Sequence, residues 1–152
     1  EFASKIYSDE LVIGEIFATD FYNELKEYQI LLILAALCFE SKEKEEQFCV
    51  FRNNDLNDLE KKLNKNNFLW REKCFASLEN ITALIHPCYS GKNVFDILKN
   101  AHILEGDLIR LFRQMMDKIN QISNATSDRK LQDSLDVCRN RITESLKDID
   151  LI

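Results

Sequence analysis

Glycine and proline are scarce: the 152 residues hold three Gly, at positions 14, 91 and 106, and one Pro. That leaves little turn material for a many-stranded sheet. It also excludes a Gly-x-x-x-x-Gly-Lys phosphate loop and a Gly-x-Gly-x-x-Gly turn, so these residues carry no nucleotide-hydrolysing core. Cysteine lacks any paired pattern. The five, at 38, 49, 74, 88 and 138, form an odd set without a Cys-x-x-Cys, which speaks against a disulfide framework or a structural zinc and for a reducing compartment. No apolar run approaches the roughly twenty residues of a membrane span, and there is neither an initiating Met nor a basic-then-apolar leader, so no membrane segment and no secretion are expected. The chain reads as a fragment, with Glu1-Phe2 resembling a cloning remnant and residues 1–7 expected to be disordered or foreign to the domain. An excess of positive charge is missing as well. With a net charge of -6, capture of nucleic acid by the surface at large is excluded, and any such contact must be local.

What is present suits helices. Apolar residues make up 45% of the chain and include ten Phe, enough for one real core, and the wealth of Leu, Ile, Lys, Glu and Gln favours a single all-α domain spanning 1–152. Ser8-Asp9 offers a cap before Val12, Ile13, Ile16 and Phe17 at helical spacing, predicting a short first helix. Gln29 opens a run in which every residue from Ile30 to Phe39 is apolar, followed by the charged stretch 41–47. A helix apolar all round is a buried central helix, and ten residues rise only about 15 Å, half a bilayer core. The polar stretch from Arg52 to Asp58 predicts a loop, Leu56, Leu59 and Leu63 are helix-spaced, and Trp70, Cys74, Leu78, Ile81 and Ile85 predict a long helix ending near His86-Pro87. Val94, Phe95, Ile97 and Leu98 give a short helix. After a turn at 124–127, Asp128 can cap a final helix carrying Leu131, Leu135, Cys138, Ile142, Leu146 and Ile149 on one face.

The stretch from Glu105 to Ile122 is the clearest two-faced helix. Leu108, Leu111, Phe112, Met115, Ile119 and Ile122 share an apolar stripe, and Arg110, Arg113, Gln114, Asp117 and Gln121 gather opposite. Asp107 is placed to cap the first turn, with Glu105 favouring the positive end of the dipole. Catalytic chemistry is hard to find. His86 and Cys88 are two soft ligands where zinc needs four, no partner orients Cys88 with His86 or His102, and the carboxylate pairs Glu45-Glu46 and Asp148-Asp150 sit in charge-rich, solvated segments. No catalytic residue and no metal site are expected.

Two blocks in order carry a resemblance. The first is Glu15, then Phe21-Tyr22-Asn23-Glu24-Leu25, Gln29 and the apolar run to Phe39-Glu40. The second is Gly91, Ile97 and Glu105-Gly106-Asp107-Leu108-Ile109-Arg110. Together they resemble the C-terminal helical (DSHCT) domain of Ski2-like superfamily 2 RNA helicases, the Mtr4 and Ski2 family. The family's usual Trp before the Gly and aromatic residue three after it are replaced by Cys88 and Val94. Asp107 and the short ending look more like the bacterial and organellar branch.

The resemblance implies a compact bundle packed on two RecA-like motor domains, non-catalytic alone, in a parent that uses ATP and Mg to unwind RNA during processing or decay. It implies RNA, the motor domains and proteins of an RNA-processing complex as partners, no membrane, and an intracellular setting: nuclear, cytoplasmic or organellar. In such helicases one long helix, the ratchet helix, lines the RNA channel. Here it would start at the signature Glu105, Gly106 and Arg110 and would offer Arg113, Gln114 and Asp117 to RNA, with Gln114 standing where a basic residue is commoner. Arg110 could instead pair with a carboxylate and brace neighbouring helices. The rival reading is a helical protein-interaction module that binds a partner through Met115-Met116 and Phe-rich surfaces.

Overall fold

A computed structural model of the chain describes residues 22–23, 25–39, 48–65, 78–101 and 103–147. Among these the elements are helices α1 (Glu27–Cys38), α2 (Asn54–Lys65), α3 (Leu78–Tyr89), α4 (Val94–Ile97, followed by a 3-10 turn at Leu98–Asn100), α5 (Glu105–Ala125) and α6 (Arg129–Leu146). The only β pairing among the described residues is an isolated antiparallel bridge between Phe48 and Ala101. The all-α bundle expected from composition is what forms. The first predicted helix, residues 1–7, the charged stretch 41–47 and Trp70–Ser77 lie outside the described residues.

Helix α1 is the centre because it has almost no polar face to give to water. Every residue from Tyr28 to Leu37 is buried, and α2, α3, α5 and α6 all pack on it. Gln29 is the polar exception, and each of its amide atoms has work. Its Oε1 accepts from the Lys26 N–H at 2.9 Å, and its Nε2 donates to the Asp55 carbonyl at 3.0 Å and the Asp58 carboxylate at 2.9 Å. One buried amide thus caps α1 and fastens α2 to it, as burial of a polar group requires. No helix of the described residues is long and apolar enough to cross a membrane.

Helix α2 corrects the loop expected from Arg52 to Asp58. Asn53 Oδ1 accepts from the Leu56 N–H at 2.9 Å, so the Asn/Asp-rich stretch is a capped helix start, and Leu56, Leu59 and Leu63 are fully buried behind it. Helix α3 also outruns its expected end, passing Pro87 to reach Tyr89. The stop comes at Gly91, whose φ is +91°. The Lys92 N–H bonds the Pro87 carbonyl at 2.9 Å and the Gly91 N–H bonds the Cys88 carbonyl at 3.1 Å, the paired closure that a left-handed residue after a helix provides. A Cβ on Gly91 would meet nothing within 4 Å, so the backbone angle, not space, calls for glycine.

The last two helices close the bundle against α1. Helix α5 continues to Ala125, two residues into the predicted turn. Asp128 then caps α6 as expected, accepting from the Lys130 N–H at 2.9 Å and the Leu131 N–H at 3.4 Å, while its second oxygen accepts from the Tyr22 hydroxyl. That hydroxyl, foremost, holds the Asp128 carboxyl below the usual carboxylate range. Gln132 Nε2 donates to the Ser123 and Thr126 carbonyls, at 3.3 and 3.0 Å, tying the start of α6 to the end of α5.

Candidate nucleic-acid interface

Helix α5, with 21 residues, is about 30 Å long. Its N-terminus differs from the sequence expectation. Leu104 occupies the cap position in an extended conformation and offers no side-chain bond, and the helix starts at Glu105. Asp107 therefore sits within the first turn and is not the cap, although both it and Glu105 still face the positive end of the dipole. All six residues of the predicted apolar stripe, from Leu108 to Ile122, are buried.

The opposite side is open. Arg110, Arg113, Gln114, Asp117 and Gln121 are all exposed. Residues three and four apart stack along a helix surface, so this side comprises two adjacent ridges. One runs Arg110, Gln114, Asp117, Gln121, and the other Arg113, Asp117, Asn120, Asn124. Asp117 belongs to both. The row carries two guanidinium groups and one carboxylate, together with glutamine and asparagine amides that both donate and accept. Such a set can hold phosphate through a planar fork and meet base edges through amide and carboxylate without demanding a sequence. Two open clefts lie elsewhere, one beside Gly91 and Arg141 and one beside Phe51 and His86. The α5 row is an extended helix face, suited to a ligand lying along it.

The signature residues resolve differently. Arg110 Nη1 stands 3.9 Å from Asp107 Oδ1, a pair within α5 itself, so the carboxylate that Arg110 reaches does not brace a neighbouring helix. Gly106 is exposed and a Cβ there would meet nothing within 4 Å; nothing among the described residues explains glycine at that position.

On the α6 side, Arg139 Nε donates to Asn120 Oδ1 at 3.1 Å, and its Nη1 bonds Asp136. A cation from the next helix is thereby fixed beside the second ridge. The α5 sequence held no signal for this, because the contact depends on how two helices pack.

Among the described residues, His86, Cys88 and Cys138 make packing contacts, whereas Cys49 is an exposed free thiol. His86 stacks on Phe51, with ring centroids 4.6 Å apart. Cys88 lies against the Arg141 carbonyl at 3.7 Å, and burial pushes its thiol up to about 11. Burial likewise raises Cys138, so neither is a nucleophile near neutral pH. Among the described residues no group of three or more His, Cys, Asp or Glu could hold a metal ion. Of the Met115-Met116 pair offered by the interaction-module reading, Met115 is fully buried and Met116 partly so. The exposed large apolar side chains among the described residues are Val50, Phe95 and Leu104, the last 72% exposed.

A family model described as the DSHCT (NUC185) domain matches residues 1–145. No curated protein matches the chain.

Proposed function

The chain belongs to the DSHCT (NUC185) domain family, and from that membership we propose that it is the C-terminal helical domain of an intracellular, ATP-dependent Ski2-like RNA helicase, non-catalytic alone, with α5 as the helix that guides single-stranded RNA. ATP and Mg act in the RecA-like motor domains, against which this bundle packs. Exposed Leu104 and Phe95, at the start of α5 and on α4, are suited to such protein contacts. The observation that carries the reading is the pair of polar ridges on α5. They begin just after the Glu105-Gly106 signature and combine Arg113, Gln114 and Asp117 on a surface exposed along its length. Mixed donors and acceptors with little net charge suit a strand that must be held and released at each step, since tight electrostatic capture would oppose release.

The test is Arg113→Ala with Asp117→Ala in the full-length helicase. Both side chains are exposed, so the thermal transition should shift little. Unwinding and RNA-stimulated ATP hydrolysis should fall by about fivefold, the worth of roughly 1 kcal/mol of exposed polar contact. Wild-type unwinding by this double variant sinks the reading.

A further inference from the structure

The ridge Arg113–Asp117–Asn120 does not end at the edge of α5. Asn120 Oδ1 accepts from Arg139 Nε at 3.1 Å across 19 positions of sequence, and Asp136, one turn earlier on α6, accepts from Arg139 Nη1. Two bonds on adjacent edges of a planar guanidinium fix its orientation. They leave its Nη2 amino group uncommitted to any described residue, and the side chain is 30% exposed. A surface arginine ordinarily loses side-chain entropy when it grips a ligand. Arg139 has already been ordered, by partners on two helices. Arg113 stands on the second ridge and Arg139 beside it, a cation from each helix.

We infer that Arg139 is a further RNA-contacting residue, one that donates through Nη2 to a backbone phosphate of the strand lying along α5, so that the RNA path is walled by α6 as well as α5. Asp136 sets the strength of that contact. Its carboxylate orients Arg139 and offsets part of its charge, keeping the phosphate grip weak. Asn120 is a positioning residue, acting through Arg139. The inference rests on the RNA reading of α5 and adds to it a second helix and a phosphate contact.

The experiment measures binding of fluorescent single-stranded oligoadenylate to the full-length protein by anisotropy across a series of KCl concentrations, with Arg113→Ala/Asp117→Ala as reference. Arg139→Ala is expected to weaken binding about fivefold and to reduce the slope of log affinity against log salt by about 0.7, the loss of one phosphate contact on a single strand. Asp136→Asn, which keeps an acceptor for Arg139 but removes the charge, is expected to tighten binding. Because Arg139 also ties α5 to α6, Arg139→Ala can lower the melting temperature; the salt slope and the tightening by Asp136→Asn are readouts that a mere brace would not move. If the reference variant weakens binding while Arg139→Ala keeps the wild-type slope, or if Asp136→Asn binds no tighter than wild type, Arg139 is a brace alone and the inference is overturned. If the reference variant also binds as wild type, the RNA reading of α5 fails and Arg139 falls with it.

Discussion

Gln29→Leu isolates what one buried amide contributes to this bundle. The replacement nearly preserves volume, so the cavity contribution is small and the change falls on hydrogen bonding. Gln29 is fully buried and makes three bonds, to the Lys26 N–H, the Asp55 carbonyl and the Asp58 carboxylate. The two neutral bonds are worth about 1 kcal/mol each, and the charge-assisted one about 1.5 kcal/mol, the low end of its range, because the carboxylate faces solvent. Asp58 is 48% exposed and keeps Lys62 at 2.8 Å, so it stays partnered when Gln29 is gone. The buried leucine returns about 1.5 kcal/mol of apolar transfer. The net expectation is a loss of about 2 kcal/mol, or roughly 4–8 °C in melting temperature for a domain of this size. Urea unfolding followed by far-UV circular dichroism measures it, with an unchanged m-value as the check that the same surface is exposed. A variant as stable as the parent would refute the claim that Gln29 fastens α2 to α1.

The adjacent position should respond with the opposite sign. Tyr28 is 3% exposed and its buried hydroxyl forms no hydrogen bond among the described residues; burial, foremost, pushes it up to about 12, with Asn53 pulling the other way. Tyr28→Phe should therefore stabilise the domain by about 1 kcal/mol, the relief of an unmet donor, and a lower urea midpoint would count against it. Acid should act through Asp128 and Asp58, both held below the usual carboxylate range, the first chiefly by the Tyr22 hydroxyl and the second chiefly by Lys62, then Gln29. A carboxyl lowered by folding contributes stability above its unfolded pKa of about 4 and loses it as pH falls through the folded value. Asp128→Asn should flatten this acid limb in a pH series of urea midpoints while still capping α6, and an unaltered limb would exclude Asp128 as a source.

Much of the bundle was legible because burial follows apolar periodicity. The run from Ile30 to Leu37 had no polar face to expose, and all six stripe residues of α5 are buried. The ends of helices were harder. Asn53 and its neighbours have loop composition, and only the bond from the Leu56 N–H distinguishes a cap from a turn. Pro87 was expected to stop α3, yet the last turn tolerates it and the left-handed Gly91 sets the end. Asp107 looked like a cap by type, but the helix begins two residues earlier. For the candidate site, the exposure of Arg113, Gln114 and Asp117 followed from the same periodicity. Arg139 did not, since its place beside Asn120 depends on how α5 and α6 pack.

The two sides of α5 divide the labour of the domain. Arg110 to Gln121 span eleven steps along the helix, about 16 Å at 1.5 Å each, and over that length every inward residue of the apolar stripe is buried against the core while the outward row is exposed. The spacing of the row is therefore set by the core: Phe112 and Met115, both fully buried, fix where Arg113, Gln114 and Asp117 stand. A change at Phe112 would disturb the core and with it the placing of the row, whereas a change at Gln114 would alter the row and leave the core alone. Gln114 is a neutral amide, exposed between Arg110 and Asp117 on its ridge. Arg139 of α6, oriented by Asn120 and Asp136, stands as a cation beside the neighbouring ridge. On the proposed RNA path, Gln114→Arg and Arg139→Ala are opposing changes of charge on a single surface, and their effects on RNA affinity should partly cancel.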